Sequence, residues 1–557
     1  MGVTLNLPAR LSIMVMKDSI TQAKKPSDSP QADGDVQGRL ITALLDPRCY
    51  PHPVKRVGIM ETHISWVLLA GRYAYKIKKP VDLGFLDFTD LSSRRHYCEE
   101  ELRLNRRLAP QLYLDVIPLG GTAEMPEIGA EPAIEYAVKM RRFPASQQLD
   151  RLAEHDRILP EHMDSLAATI AHFHEALPSA EPGAGLGSAA ATHATVFQTL
   201  EQLQTALAGT ENEVRVAGLR AAIETEYGVR KEHLERRLAG GFVRECHGDL
   251  HLGNIALIRG RPVPFDCIEF SPSLRWIDVM NEAAFTVMDL LHRQQSELAY
   301  RFLNAYLETT GDYGGLPLLR FYLAYRAAVR AMVSAVRAGQ DNLSKRDKAA
   351  ALASCSSFLD LARACLARQR PALVITRGLP GSGKTTFAQA ALERLQAIRI
   401  RSDVERKRLF GLAALADSRS QAEGIYHAEA TVRTYARLHD LARELLAAGF
   451  PVIVDAAFLK REEREHFRML ADELSVPFVI ASLKASSETM QSRIVKRQSE
   501  SSDASEADLG VLKLLQEKEE VLAPQERAYT VEFVNEKEGF DSGDNAWKKL
   551  ERLLDGR

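Results

Sequence analysis

Long apolar runs are missing from this 557-residue sequence. No stretch approaches the roughly 20 residues that cross a bilayer as a helix. The apolar patch near the start, Ile13–Met16, ends at Lys17 and is too short for a secretory segment. Met1-Gly2 is followed by Asn6 where a myristoylation signal needs Ser or Thr. An excess of one charge is missing too. Lys and Arg total 72 against 74 Asp and Glu, a formal net charge of −2. Such balance gives no global pull toward nucleic acid or an anionic membrane, and neither partner is expected. Cysteine is scarce: Cys49, Cys98, Cys246, Cys267, Cys355 and Cys365 are scattered, with no C-x-x-C pair. That excludes a disulfide framework or zinc site and fits a cytoplasmic protein. No repeat with a period of about 20–50 residues is visible.

What is present is ordinary globular material, 45% hydrophobic and 26% charged. The length predicts about two to four domains. Residues 1–37 are polar and turn-rich and read as a flexible tail. A first domain is expected over 38–366. It opens with strand patterns over 57–80 around a turn at Ala70-Gly71-Arg72, then a helix over 91–109. It becomes mostly helical over 151–240, with a Gly/Ala/Ser-rich break at 179–191, and again over 275–366. A linker at 367–371 leads to a second domain over 372–535, where strands alternate with helices as in a parallel α/β sheet. A short helix and tail occupy 536–557, with Trp547, Leu550 and Leu554 on one face.

The sharpest motif is Gly378-Leu379-Pro380-Gly381-Ser382-Gly383-Lys384-Thr385, followed by Thr386, after a strand and before a helix. It matches G-x-x-x-x-G-K-[ST] in full. Glycines let the backbone wrap phosphate with its N–H groups, Lys384 reaches the β/γ-phosphates, and the Thr385 hydroxyl binds Mg²⁺. Asp455 ends the apolar run Val452-Ile453-Val454, where a second magnesium-side oxygen is expected; a turn or cap carboxylate is the bland alternative. In Ser402-Asp403-Val404-Glu405-Arg406, Asp403 is a candidate base for a substrate hydroxyl and Arg406 a candidate anion binder, against a plain helix cap. Arg493 and Arg497, at i and i+4, share a helix face that is either a phosphate-stabilising lid or a solvated basic surface.

These residues, in GLPGSGKTT, RSDVERKRL, VIVDAAFLKREERE and SRIVKR, resemble the small P-loop kinases of the gluconate-kinase, zeta-toxin and polynucleotide-kinase-like group. The resemblance implies Asp403 as hydroxyl-activating base and Arg493 and Arg497 as lid arginines.

The second motif is His247-Gly248-Asp249-Leu250-His251-Leu252-Gly253-Asn254, with Asp266 following an apolar strand. D-x-x-x-x-N is the spacing of a kinase catalytic loop: Asp249 takes or orients the acceptor proton, while Asn254 and Asp266 hold Mg²⁺. His247, Asp249 and His251 also fit H-x-D-x-H of a binuclear metal hydrolase. HGDLHLGN and PFDCIEF, with ATIAHFH upstream, resemble the aminoglycoside-phosphotransferase/choline-kinase-like family over 55–300. The resemblance points to YAYKIKKP as the ATP-lysine strand, with Lys76 chosen and Lys78 open because it shares the face, and to Glu101 as the lysine's partner. No glycine-rich loop precedes Lys76.

The fold class that follows is multidomain, α+β and α/β: a bilobal protein-kinase-like domain, then a P-loop NTPase domain with a parallel sheet flanked by helices. The expected function is ATP- and Mg²⁺-dependent phosphorylation of small-molecule hydroxyls by both domains. Two alternatives stay open: one domain is regulatory, or the second acts on a nucleic-acid 5′-hydroxyl. Cys246 and Cys267 flank the first site and raise either thiol sensitivity or plain packing as their role.

Overall fold

A computed structural model describes residues 32–82, 86–181, 183–340, 343–367, 370–414, 416, 425, 427–500, 508–536, 540 and 545–555, with side chains from 36 and not over 497–500. They pack as two compact units. One takes the chain to Arg293 and then Leu318–Leu366; the other takes Gln294–Pro317 and everything from Ala367 onward.

The first unit opens with a helix at Ala32–Ala43, which begins inside the stretch expected as a tail. An antiparallel sheet follows: β1 (Val57–Glu61), β2 (Ser65–Ala70), β3 (Tyr73–Lys78), β4 (Tyr113–Gly121), β5 (Pro126–Ile128) and β6 (Glu135–Arg141), in the order β1-β2-β3-β6-β4-β5. Gly71 turns β2 into β3 at φ 59°, a left-handed conformation that suits glycine, and a Cβ there would lie 2.9 Å from Pro53 O. The Leu91–Asn105 helix is capped by Asp90, whose side chain accepts from Ser93 N, and packs on β6 and β4 with Cys98, Glu101 and Leu104 buried. It ends before Leu108, sooner than the apolar spacing suggests.

The rest of the unit is helical, interrupted by two short ribbons. β7 (Val243–Glu245) pairs with β10 (Trp276–Asp278), and β8 (Ile255–Ile258) with β9 (Arg261–Pro264). The HGDLHLGN stretch therefore runs between two ribbons, and Asp266 leaves the second. Against the expectation from the sequence, the Lys345–Leu366 helix is long and apolar enough to cross a membrane, the one such helix among the described residues. It buries Cys355, Phe358, Leu359 and Ala362, and its Asp360 pairs with Arg215 of the Glu213–Ala239 helix.

The second unit is a parallel sheet: β11 (Leu373–Arg377), β12 (Ile398–Arg401), β13 (Val452–Asp455), β14 (Phe478–Lys484) and β15 (Thr530–Val534), ordered β12-β13-β11-β14-β15. Every residue of β11 and β13 is buried, as expected for a parallel sheet covered on both faces. The Asn545–Asp555 helix closes one side, with Trp547 stacked 5.3 Å from Phe387. The Ser296–Thr310 helix packs against β12 and the Lys384–Leu395 helix. Its Asn304 donates to Ala397 O (3.0 Å) and accepts from Arg399 N (2.7 Å), satisfying backbone groups at the β12 edge. The segment falls within the 38–366 range expected for the first domain, but Gln294–Pro317 groups with the second unit, because its contacts are with β12 and the Lys384–Leu395 helix.

Candidate functional site

In the first unit, β3 places Lys76 and Lys78 on one buried face, as a period of two requires. Lys76 Nζ lies 2.7 Å from Asp266 Oδ1 and 2.8 Å from Glu101 Oε1. Lys78 reaches the other oxygen of Glu101 at 2.8 Å and pairs with Glu269. Glu101 thus bridges both lysines. Burial opposes its charge, but the two ammonium groups outweigh burial and hold the carboxyl below its ordinary range. Burial likewise opposes charge on Lys76, and Asp266 and Glu101 overcome it. Burial wins at Glu269, whose carboxyl is pushed up. Asp266 sits at φ 65°, a left-handed conformation that Asp tolerates better than most residues.

The residues of HGDLHLGN converge as the spacing requires. Asn254 Nδ2 donates to Asp249 Oδ2 (2.9 Å) and to Asp249 O (3.0 Å), and Phe265 N donates to Asn254 O (2.9 Å). This chain of bonds ties Asp249, Asn254 and the strand before Asp266 into one cluster. Burial works to raise Asp249, but His251, 3.5 Å away, and Arg330 reverse the effect and keep its carboxyl below the ordinary value. His247 accepts from Asp249 N at Nδ1, and its Nε2 lies 2.9 Å from Phe265 O. Both ring nitrogens face backbone, so His247 shapes the loop and does not offer the metal ligand of an H-x-D-x-H site. Cys246 and Cys267 are buried; burial raises Cys267 to about 12 and Cys246 well above its usual value, so neither is a ready thiolate.

Two acidic residues at this site escaped the motif reading. Glu282 accepts from His247 N (2.5 Å) and Gly248 N (2.8 Å), and Asp289 accepts from Leu252 N (2.9 Å). Both lie on the Val279–His292 helix and fix the loop's backbone from beneath. Glu282 and Asp289 are buried acids at i and i+7 in an apolar helix, the signal that could have exposed them.

The second unit has a cleft of about 990 Å³. Lys384, Thr385, Asp403, Arg406, Asp455 and Arg493 all line it, together with Pro380, Gly381, Gly383 and Thr386. Gly381 and Gly383 take φ 82° and 94°. Gly378, which precedes them, accepts no Cβ either, since Ser382 Oγ would lie 2.6 Å away. Ser382 itself is buried and points its carbonyl at Asn535 Nδ2 (3.4 Å). Lys384 Nζ donates to Leu379 O (2.9 Å) across the loop. Asp455 is buried at the end of β13, and burial pushes its carboxyl up against the opposing pull of Arg401, Arg399 and Lys384 and a hydrogen bond with Thr385. Arg493 donates to Gly381 O (3.3 Å) and Asn535 O (3.0 Å), so it lies against the phosphate loop. Arg406 donates to Thr431 Oγ1 (3.3 Å) and Ile425 O (3.2 Å) at the cleft wall. Asp403 stands in the first turn of the Ser402–Leu409 helix. The side chain of Arg497 lies outside the described residues.

Two contributors here were also missed. Asn535 follows β15 and lies beneath Gly383 and Arg493. Glu308, on the Ser296–Thr310 helix, pairs with Arg399 (2.5 Å) and Arg401 (3.5 Å), and Arg401 Nε lies 3.8 Å from Asp455. Neither residue is near the loop in sequence.

The oxygen-rich sets Asn254/Asp266 and Thr385/Asp455 are of the kind that hard cations such as Mg²⁺ select.

Residues 85–322 match a phosphotransferase enzyme family and residues 373–522 an AAA domain. The phosphotransferase match runs through the Ser296–Thr310 helix, which packs with the second unit. Uncharacterized proteins of Mycobacterium tuberculosis and Mycobacterium bovis are 30% identical over 467 residues, covering 82% of this chain and 90% of theirs. Among solved structures, a choline/ethanolamine kinase family protein from Mesorhizobium loti is 13% identical over 57% of this chain and 93% of its own, TM-score 0.33. A gluconokinase from Sinorhizobium meliloti is 20% identical over 34% of this chain and 93% of its own, TM-score 0.23.

Proposed function

The chain belongs to the family of those mycobacterial proteins, a phosphotransferase domain joined to a P-loop AAA domain, and from that premise we propose that each unit moves the γ-phosphoryl group of ATP to a hydroxyl of a small molecule. One observation supports the reading: each unit brings together an aspartate, a lysine and further oxygen-bearing side chains, the groups that a base, a phosphate-directed lysine and cation ligands would need. In the first these are Asp249, Lys76, Asn254 and Asp266; in the second, Asp403, Lys384, Thr385 and Asp455.

In the first unit Asp249 accepts the acceptor's proton as its oxygen attacks the γ-phosphorus, and ADP leaves. Lys76, fixed between Glu101 and Asp266, orients the nucleotide phosphates, and Glu282 and Asp289 hold the loop rigid. In the second, loop N–H groups cradle the phosphates while Lys384 exchanges Leu379 O for a phosphate oxygen. Asp403 takes the proton there, Arg406 holds an anionic part of the acceptor, and Arg493 with Arg497 offsets charge on the transferred group. Bound Mg²⁺ would neutralise developing charge at either site through the oxygens named.

The test is ATP turnover by the parent, Asp249→Ala, Lys384→Ala and the double variant across a metabolite panel. Each single variant is expected to lose one set of products and the double variant both. Equal turnover by all four chains sinks the reading.

A further inference from the structure

The glycine-rich break at 179–191 has no role in either site as described above. In the structure it forms the mouth of a cavity of about 40 Å³ in the first unit, under Gly185, Leu186 and Gly187. At roughly 10–15 Å³ per water, the space suits a few waters or one small anionic group. Its walls come from helices, the 185–187 loop and the short strand β10 (Trp276, Ile277), and none from the sheet that carries Lys76. It therefore lies away from the nucleotide-directed lysine.

It borders the catalytic loop. Arg326 lines it and donates through Nη1 to Gly248 O (3.1 Å), the residue before Asp249, and through Nε to Asn281 Oδ1 (2.8 Å). Tyr325, another wall residue, feels the charge of Asp249.

Charge decides what the cavity takes. Arg326 is only 3% exposed, and its Nη2 has no hydrogen-bond partner. A buried guanidinium N–H left unmade is costly, and an anion beside it recovers that cost. None of the lining residues is acidic; the polar ones are hydroxyls, an amide, the Trp276 indole and this one cation. The nearby carboxylate of Asp278 is already paired with Arg237 at 2.6 Å. Arg330, one turn further along the same helix, adds positive potential at Asp249.

We infer that the acceptor phosphorylated by the first unit is an anionic hydroxy compound, bearing a carboxylate or phosphate that Arg326 receives in this cavity. The inference rests on the kinase reading of that unit. A polycationic amine is the acceptor class the cavity is built against.

The experiment uses the full chain carrying Lys384→Ala, which silences the second site. Acceptors matched in hydroxyls but differing in charge are offered: an aldonic acid, a sugar phosphate, the neutral sugar and the amino sugar. Turnover is expected for the anionic members. Arg326→Met should raise their KM about 30-fold, the scale of a lost charged hydrogen bond, with the KM for ATP unmoved. Because Arg326 also braces Gly248, exposed Ser273 in the cavity wall supplies an independent readout. Ser273→Asp should raise the acceptor KM and Ser273→Lys lower it, each about fivefold, as an added charge near the group predicts. The opposite signs, or preferred turnover of the amino sugar, overturn the inference and leave the kinase reading standing. If no acceptor is turned over, the kinase reading fails instead, and inorganic phosphate binding by calorimetry still decides. The Ser273→Lys chain must bind it about tenfold tighter than the Ser273→Asp chain; equal affinities overturn the inference.

Discussion

Lys76 Nζ and Asp266 Oδ1 stand 2.7 Å apart, joining the antiparallel sheet to the loop that follows the second ribbon. Lys78 sits two residues on, on the same face, and turns instead to Glu269. The two lysines share Glu101 but differ in their second carboxylate. With Asp266 the candidate cation ligand, we propose that Lys76 meets phosphate and that Lys78 braces Glu101. Lys76→Met is expected to cut Asp249-dependent turnover at least about 100-fold, with a raised KM for ATP. Lys78→Met should mainly lower stability, by about 3–5 kcal/mol, because it strands buried Glu269 and leaves Glu101 with Lys76 alone. ATP kinetics and urea unfolding of both variants separate the roles.

Asp289 gives the first unit a pH signature. Burial opposes its charge, but Arg293, His251 and Arg330 prevail and bring the carboxyl to about 2 from 3.8. A folded-state pKa below the unfolded one favours folding above the unfolded value, and the benefit fades as pH falls through the folded value. Asp289→Asn should therefore cost about 2 kcal/mol near neutrality. The gap from the parent should narrow as pH falls below about 4. Chemical unfolding of both chains across that range measures it; a gap independent of pH would place the loss in packing.

The contrast between motif and support runs through both sites. HGDLHLGN and GLPGSGKTT were legible because their groups are contiguous: backbone spacing alone brings Asp249 to Asn254 and Gly383 to Lys384. Lys76 and Lys78 could be assigned to one face but not to different partners, since Asp266 and Glu269 come to them only through tertiary packing. Glu282, Glu308 and Asn535 act from 34 or more residues away. Their meaning lies in what they touch, and nothing in local pattern records that. The Ser296–Thr310 helix is the same problem at the scale of an element.

Glu308 tests whether that helix serves the second site. It holds Arg399 and Arg401, and Arg401 faces Asp455 in the cleft. Glu308→Gln keeps the shape and removes the charge that competes for Arg401. Arg401 is then expected to draw closer to Asp455 and hinder its use as a ligand. Turnover lost in Lys384→Ala should fall about tenfold in Glu308→Gln, by roughly 1.4 kcal/mol in the barrier. Extra Mg²⁺ should partly restore it, while Asp249-dependent turnover stays unchanged. A uniform loss at both sites would point to general destabilisation.

Gly383 and Asn535 supply a double-mutant test of the phosphate loop. A Cβ on Gly383 would fall 1.7 Å from Asn535 Nδ2, an overlap that forces a buried side chain to move. The backbone also sits at φ 94°, so alanine there carries strain of about 1–2 kcal/mol even without the overlap. Asn535→Ala alone frees Arg493 from one partner, Asn535 Oδ1 at 3.3 Å, and should cost about 1 kcal/mol. If the overlap dominates, Asn535→Ala should recover part of the stability lost in Gly383→Ala. The double variant would then be more stable than the sum of the singles by at least about 1 kcal/mol. The remaining loss measures the backbone strain, which no change at Asn535 can relieve. ATP binding should follow the same order, because the N–H groups that cradle phosphate are those the displaced loop carries. Strict additivity of the two unfolding free energies would show that the loop yields without disturbing Asn535.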